Sequence, residues 1–97
     1  MKTLHIIREK DHALAISTAR DQAGPASAAG NELAVLLIHD AVLTGEDRLG
    51  GLSATVTVTI MVLKDDAAAR AVESPYPSID YDGMLKLVFD SDKVICW

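Results

Sequence analysis

Six consecutive apolar residues, Leu33-Ala34-Val35-Leu36-Leu37-Ile38, are bracketed by Asn31-Glu32 on one side and His39-Asp40 on the other. A run of this length without alternation reads as a strand buried on both faces. Strands of that kind belong to parallel sheets, because parallel neighbours need crossovers, and the crossovers lay helices over the sheet. The rest of the chain fits this constraint. Thr3 to Arg8 is short, apolar and β-branched at its centre, and predicts a first strand. Thr55 to Leu63 starts as an alternating Thr-Val-Thr-Val-Thr segment and ends fully apolar, which makes it the plainest strand in the chain. Ile79-Asp80 predicts a very short extended piece, and Lys93 to Trp97 a final strand. Between them, Asp11 to about Gln22 is expected to be helical, capped by Asp11 and ended before Gly24-Pro25, with a loop from Gly24 to Asn31. Ala41 to Ser53 is expected to hold a short or broken helix and a flexible join at Gly50-Gly51. Lys64-Asp65-Asp66 predicts the cap of a helix from Ala67 to about Glu73, ended by Ser74-Pro75. Tyr81 to Phe89 carries Met84, Leu85, Val88 and Phe89 at helical spacing. The expected fold is a small three-layer α/β sandwich around a mainly parallel sheet, in one domain spanning 1–97.

Composition narrows the class of function. The chain has 97 residues, 49% of them hydrophobic, which is rich for a domain small enough to bury only about 60–65% of its unfolded surface. Association with other subunits would relieve that excess. A formal charge of −5 and the absence of any Lys or Arg cluster argue against a direct grip on nucleic acid, which needs a basic footprint. No apolar stretch approaches the roughly 20 residues that span a bilayer, and Met1 to Arg8 is too short for a signal peptide. A cytoplasmic protein without a membrane partner is the expectation, and the lone Cys96 excludes an internal disulfide.

The candidate site residues are few. His39, Asp40 and Asp65 stand where strands are expected to end, the edge at which ligands approach parallel sheets. His39 beside Asp40 has the composition of an acid–base pair, but adjacent strand residues point to opposite faces, which favours a turn or capping role. Asp65-Asp66 has the composition of a magnesium site and equally of a helix start. His5, His12 and His39 are too scattered to indicate zinc, and no P-loop, GxGxxG or GxSxG pattern occurs. Neither a metal nor another cofactor is expected. Cys96 is the sole residue able to carry a persulfide. Trp97 beside it is expected to dock on the sheet or at a subunit interface, and Tyr76 and Tyr81 are candidates for one shared surface.

Three stretches resemble the TusB/DsrH family of sulfur-relay subunits. They are Leu4-His5-Ile6-Ile7, then Leu36-Leu37-Ile38-His39-Asp40-Ala41-Val42, and finally Val62-Leu63-Lys64-Asp65-Asp66-Ala67-Ala68-Ala69-Arg70, which leads to Ile79-Asp80-Tyr81 and a closing Trp97. The resemblance implies a DsrE/DsrF/DsrH-type fold and a heterooligomer with sister DsrE/DsrF-like (TusD/TusC-like) subunits, or a homo-oligomer when the chain is alone. It further implies a role in passing persulfide sulfur toward tRNA wobble uridine or dissimilatory sulfur metabolism. In the family's active subunits the working cysteine belongs at the start of the Ala-Arg helix, where this chain has Leu63-Lys64-Asp65. Some DsrH-type members also carry a cysteine in the first helix, where this chain has Ala13, Ala15, Ser17 and Ala19. The expectation is therefore a structural partner, with sulfur transfer through Cys96 and small-molecule binding at the strand ends as alternatives.

Overall fold

The computed structural model describes residues 2–28, 32–45, 48–50 and 58–97. Residues 29–31 of the expected loop, 46, 47 and 51–53 of the expected broken helix and join, and 55–57 of the expected third strand lie outside the described residues. The elements are β1 (Lys2–Ile7), α1 (Ala13–Ala28), β2 (Glu32–Leu37), a 3-10 turn (His39–Leu43), β3 (Val58–Leu63), α2 (Lys64–Ala69), β4 (Ser78–Ile79), α3 (Tyr81–Asp90) and β5 (Lys93–Cys96). The five strands form one sheet in the order β4-β3-β2-β1-β5, and every neighbouring pair is parallel.

Both faces of that sheet are covered, as the apolar run at Leu33–Leu37 requires. Alternation along each strand divides the side chains into two clusters. Ile7, Leu33, Val35, Leu37, Ile60 and Val62 face Ala15, Ile16 and Ala19 of α1, together with Val42, Leu49 and Ala67. The small alanines on α1 let its axis lie close to the strands. Leu4, Ala34 and Leu36 face the other way, against Met84, Leu87 and Val88 of α3. The result is the expected three-layer sandwich, with α1 and α2 on one side and α3 on the other.

Several boundaries differ from expectation for local reasons. Helix α1 begins when the His12 carbonyl accepts from the Ile16 N–H at 3.0 Å, and it is the His12 Nδ1, not Asp11, that caps by accepting from the Ala15 N–H at 3.1 Å. Asp11 instead lies in the left-handed region at φ 54°, with its N–H donating to Thr44 Oγ1. The helix runs through Gly24-Pro25 to Ala28. Proline's fixed φ is itself helical, so its cost is a lost hydrogen bond and crowding of the preceding turn rather than a forbidden φ. Helix α2 starts three residues earlier than expected, with Asp65 and Asp66 in its first turn and no side-chain cap at Leu63. It stops at Ala69 because Ala71, at φ 51°, closes a Schellman turn: Val72 N–H donates to the Ala67 carbonyl at 2.9 Å and Ala71 N–H to that of Ala68 at 3.1 Å. Asp80 does cap α3, its Oδ1 accepting from the Gly83 N–H at 2.8 Å.

Two stability outcomes follow from this packing. Ala71→Gly should raise the free energy of unfolding by about 0.5–1 kcal/mol, since the left-handed conformation costs a Cβ-bearing residue more than glycine loses in chain entropy. Leu36→Ala, at a position with no exposed surface, should lower it by about 2–5 kcal/mol. Urea titrations of the three proteins measure both, and a destabilised Ala71→Gly would contradict the account of the α2 terminus.

Candidate functional site at the carboxyl ends of the strands

At the carboxyl edge of the sheet, the turn after β2 meets the start of α2. His39 opens the turn at φ 49°, and its backbone N–H donates to Asp66 Oδ2 at 2.8 Å. Asp40 Oδ1 accepts from Arg70 Nε at 3.0 Å, and Arg70 Nη1 lies 3.8 Å from Asp66 Oδ1, one helical turn back. Arg70 therefore ties the turn to α2 through two carboxylates. The pairs are partly solvated, so each contributes about 0.2–1 kcal/mol, and their effect is positional more than energetic. His39 and Asp40 are exposed members of a turn and do not form an acid–base pair, because the Asp40 carboxylate is committed to Arg70. Asp65 is exposed on the first turn of α2. Among the described residues no group of His, Cys, Asp and Glu could hold a metal ion.

Cys96 is exposed and ends β5, beside Ile6 of β1. It shares the carboxyl edge with Asp40 and Asp66 but not their neighbourhood: β1 and β2 stand between, so three strand spacings put about 14 Å between β5 and β3. The residues singled out in the sequence thus fall into two groups, His39, Asp40 and Asp65 near β2 and β3, and Cys96 on the opposite edge strand. A cavity of about 410 Å3 lies at the other end of the sheet, beneath α3, and is lined by Lys2, Glu32, Ala34, Thr59, Met61 and Leu87 among others.

Trp97 docks on the domain's own sheet, one of the two seats expected for it, and what the sequence did not reveal is the set of partners that hold it there. Its indole Nε1–H donates to His5 Nδ1 at 3.0 Å, its backbone N–H donates to the Ile6 carbonyl at 2.8 Å, and its carbonyl accepts from Arg8 Nε at 3.2 Å. The ring stacks on His5 with centroids 6.1 Å apart and meets the His12 ring at a tilt of 58° and 5.6 Å. An indole can only donate, so His5 Nδ1 must be the acceptor and the proton sits on Nε2, which donates to Gln22 Oε1 at 2.6 Å. Burial pushes the His5 pKa below its ordinary 6.5; the bond to Gln22 opposes this and the charge of Lys93 adds to it. The hints in sequence were the large apolar residue closing the chain and a histidine at an inward position of an apolar strand. Tyr76 and Tyr81 do not share a surface: Tyr76 is buried on the α1 side and Tyr81 stands exposed on α3.

The sign of the His5 effect is set by this geometry. Below pH 6.5 the unfolded chain takes up a proton on His5 while the folded chain resists it, so stability is present above 6.5 and lost as pH falls. Melting temperatures taken from about pH 7.5 to about pH 5 should fall more for the wild type than for His5→Gln. Parallel curves would show that His5 titrates alike in the two states.

No curated protein sequence matches the chain. Among solved structures, the crystal structure of the ychN protein from E. coli superposes with a TM-score of 0.81, covering 100% of both chains at 17% identity, which is a likeness of fold. The family model described as DsrH like protein matches residues 4–94, a span that takes in β2, β3 and the Arg70 clamp, holds His5 and stops short of Trp97. With nearly its whole length matched, the chain belongs to the DsrH-like family.

Proposed function

We propose that this protein is a structural subunit of a sulfur-relay complex, packed with DsrE- and DsrF-like sister subunits and supporting persulfide transfer without carrying the sulfur itself. The observation that carries the reading is the β3–α2 junction. The family's active subunits are expected to place a working cysteine there, whereas here Lys64 and Asp65 begin the helix and Asp66 holds the His39 N–H. The junction is built to brace a turn, not to present a nucleophile. Membership of the DsrH-like family supports the relay, and the absence among the described residues of any helix long and apolar enough to cross a membrane is consistent with a cytoplasmic location. The destination of the sulfur is proposed to be tRNA wobble uridine or dissimilatory sulfur metabolism.

A second reading rests on the exposure of Cys96 at a strand end. Its thiolate would attack the terminal sulfur of a donor persulfide, forming the new S–S bond while the donor cysteine leaves as thiolate. Incubation with a cysteine desulfurase and labelled cysteine, followed by intact mass, separates the two. The structural reading expects no added sulfur on the wild-type chain and unimpaired sulfur transfer in a reconstituted relay carrying Cys96→Ser. A label that appears on the wild type and is lost with Cys96→Ser would establish the carrier instead.

A further inference from the structure

The outward side of α3 is apolar where a helix lying on a solvated sheet would be polar. Tyr81, Leu85 and Phe89 recur every fourth residue and are 51%, 50% and 83% exposed. Met84, Leu87 and Val88, on the adjoining side, pack against the sheet. At 3.6 residues per turn the two trios form one continuous apolar arc of about 200°, and the sheet covers only part of it. Val94 of β5, 37% exposed, adds to the same side of the molecule, because its register partner Leu4 belongs to the cluster beneath α3. An arc this wide belongs to a helix packed from two directions.

The charges around the stripe indicate what covers it. Asp80, Asp82, Asp90 and Asp92 stand at the two ends of α3 and on its polar flank, against Lys86 within the helix and Lys93 beyond it. Two copies meeting helix to helix, in either direction, would set aspartates at the ends against aspartates and Lys86 near Lys86. An anionic lipid surface is repelled by the same rim. We infer that the outer face of α3 docks a protein subunit of different sequence, whose matching patch has an apolar centre rimmed by Lys or Arg. This rests on the reading of the chain as a relay subunit and deepens it. Cys96 projects from the same face of the sheet as Ile6 and Val94, so the docked subunit lies over the side that carries the thiol.

The test uses the full chain and the purified DsrE-like and DsrF-like proteins of the same genome, with affinity followed by titration calorimetry and assembly by sedimentation. Phe89→Asp should weaken the complex at least about tenfold, as loss of an aromatic anchor does, while its melting curve stays that of the wild type because the side chain is exposed. The double variant Asp82→Lys with Asp90→Lys should weaken it too, most at low salt. Full affinity in both variants would overturn the assignment of this face and leave the subunit reading standing. No complex with the wild-type chain would remove the subunit reading, and this inference with it. A wild-type dimer dissolved by Phe89→Asp would give the face to a second copy, and phosphatidylglycerol vesicle binding lost in that variant would give it to a membrane; either overturns the proposal.

Discussion

A strand that is apolar on both faces must be covered twice, and the rest of this structure answers that requirement. Leu33, Val35 and Leu37 of β2 take their cover from α1, and Ala34 and Leu36 take theirs from α3. The two covers are not equal. Helix α1 buries Ala15, Ile16 and Ala19, whereas α3 has no fully buried residue and turns Tyr81, Leu85 and Phe89 outward. The thinner cover is what gives the molecule a distinct second face, and it is on that face that both the exposed stripe and Cys96 are found.

The carboxyl edge is organised by different physics. There the chain uses polar ties across short distances: Arg70 to Asp40, Asp66 to the His39 N–H, Arg8 to the Trp97 carbonyl. Their combined effect is to hold turns in place at the edge where a parallel sheet would ordinarily receive a ligand. A left-handed His39 and a left-handed Ala71 flank this arrangement, and neither would persist without the hydrogen bonds around it.

Strands were legible because their signal is local. The apolar run of β2, the β-branched centre of β1 and the valines of β3 each declare themselves within a few residues. Helix ends were less so. Pro25 looked like a stop, but it removes a hydrogen bond without forbidding the helix; the true end of α2 depends on a left-handed alanine, which no residue pattern marks. Periodicity found the apolar side of α3 through Met84, Leu85, Val88 and Phe89, yet could not tell which part meets the sheet, since Leu85 and Phe89 turn outward. At the site, the Arg70 clamp joins residues thirty positions apart and the Trp97–His5 bond joins residues ninety-two apart. Contacts of that range are set by topology, which a single sequence constrains only through the fold it implies.

The strand order has a consequence for how the chain reaches this state. Strand β1 is made first but sits between β2 and β5, and its pairing with β5 brings together Thr3 and Lys93. Until β5 is in place, one edge of β1 has no partner and the imidazole of His5 lacks the indole that completes its hydrogen bonding. Closing so long a stretch of chain is slow relative to the local steps. Undocking of β5 would bare a parallel edge of β1 on the side of the molecule that carries the outward stripe of α3, so the last strand also guards against misassociation beside the surface that we assign to another subunit.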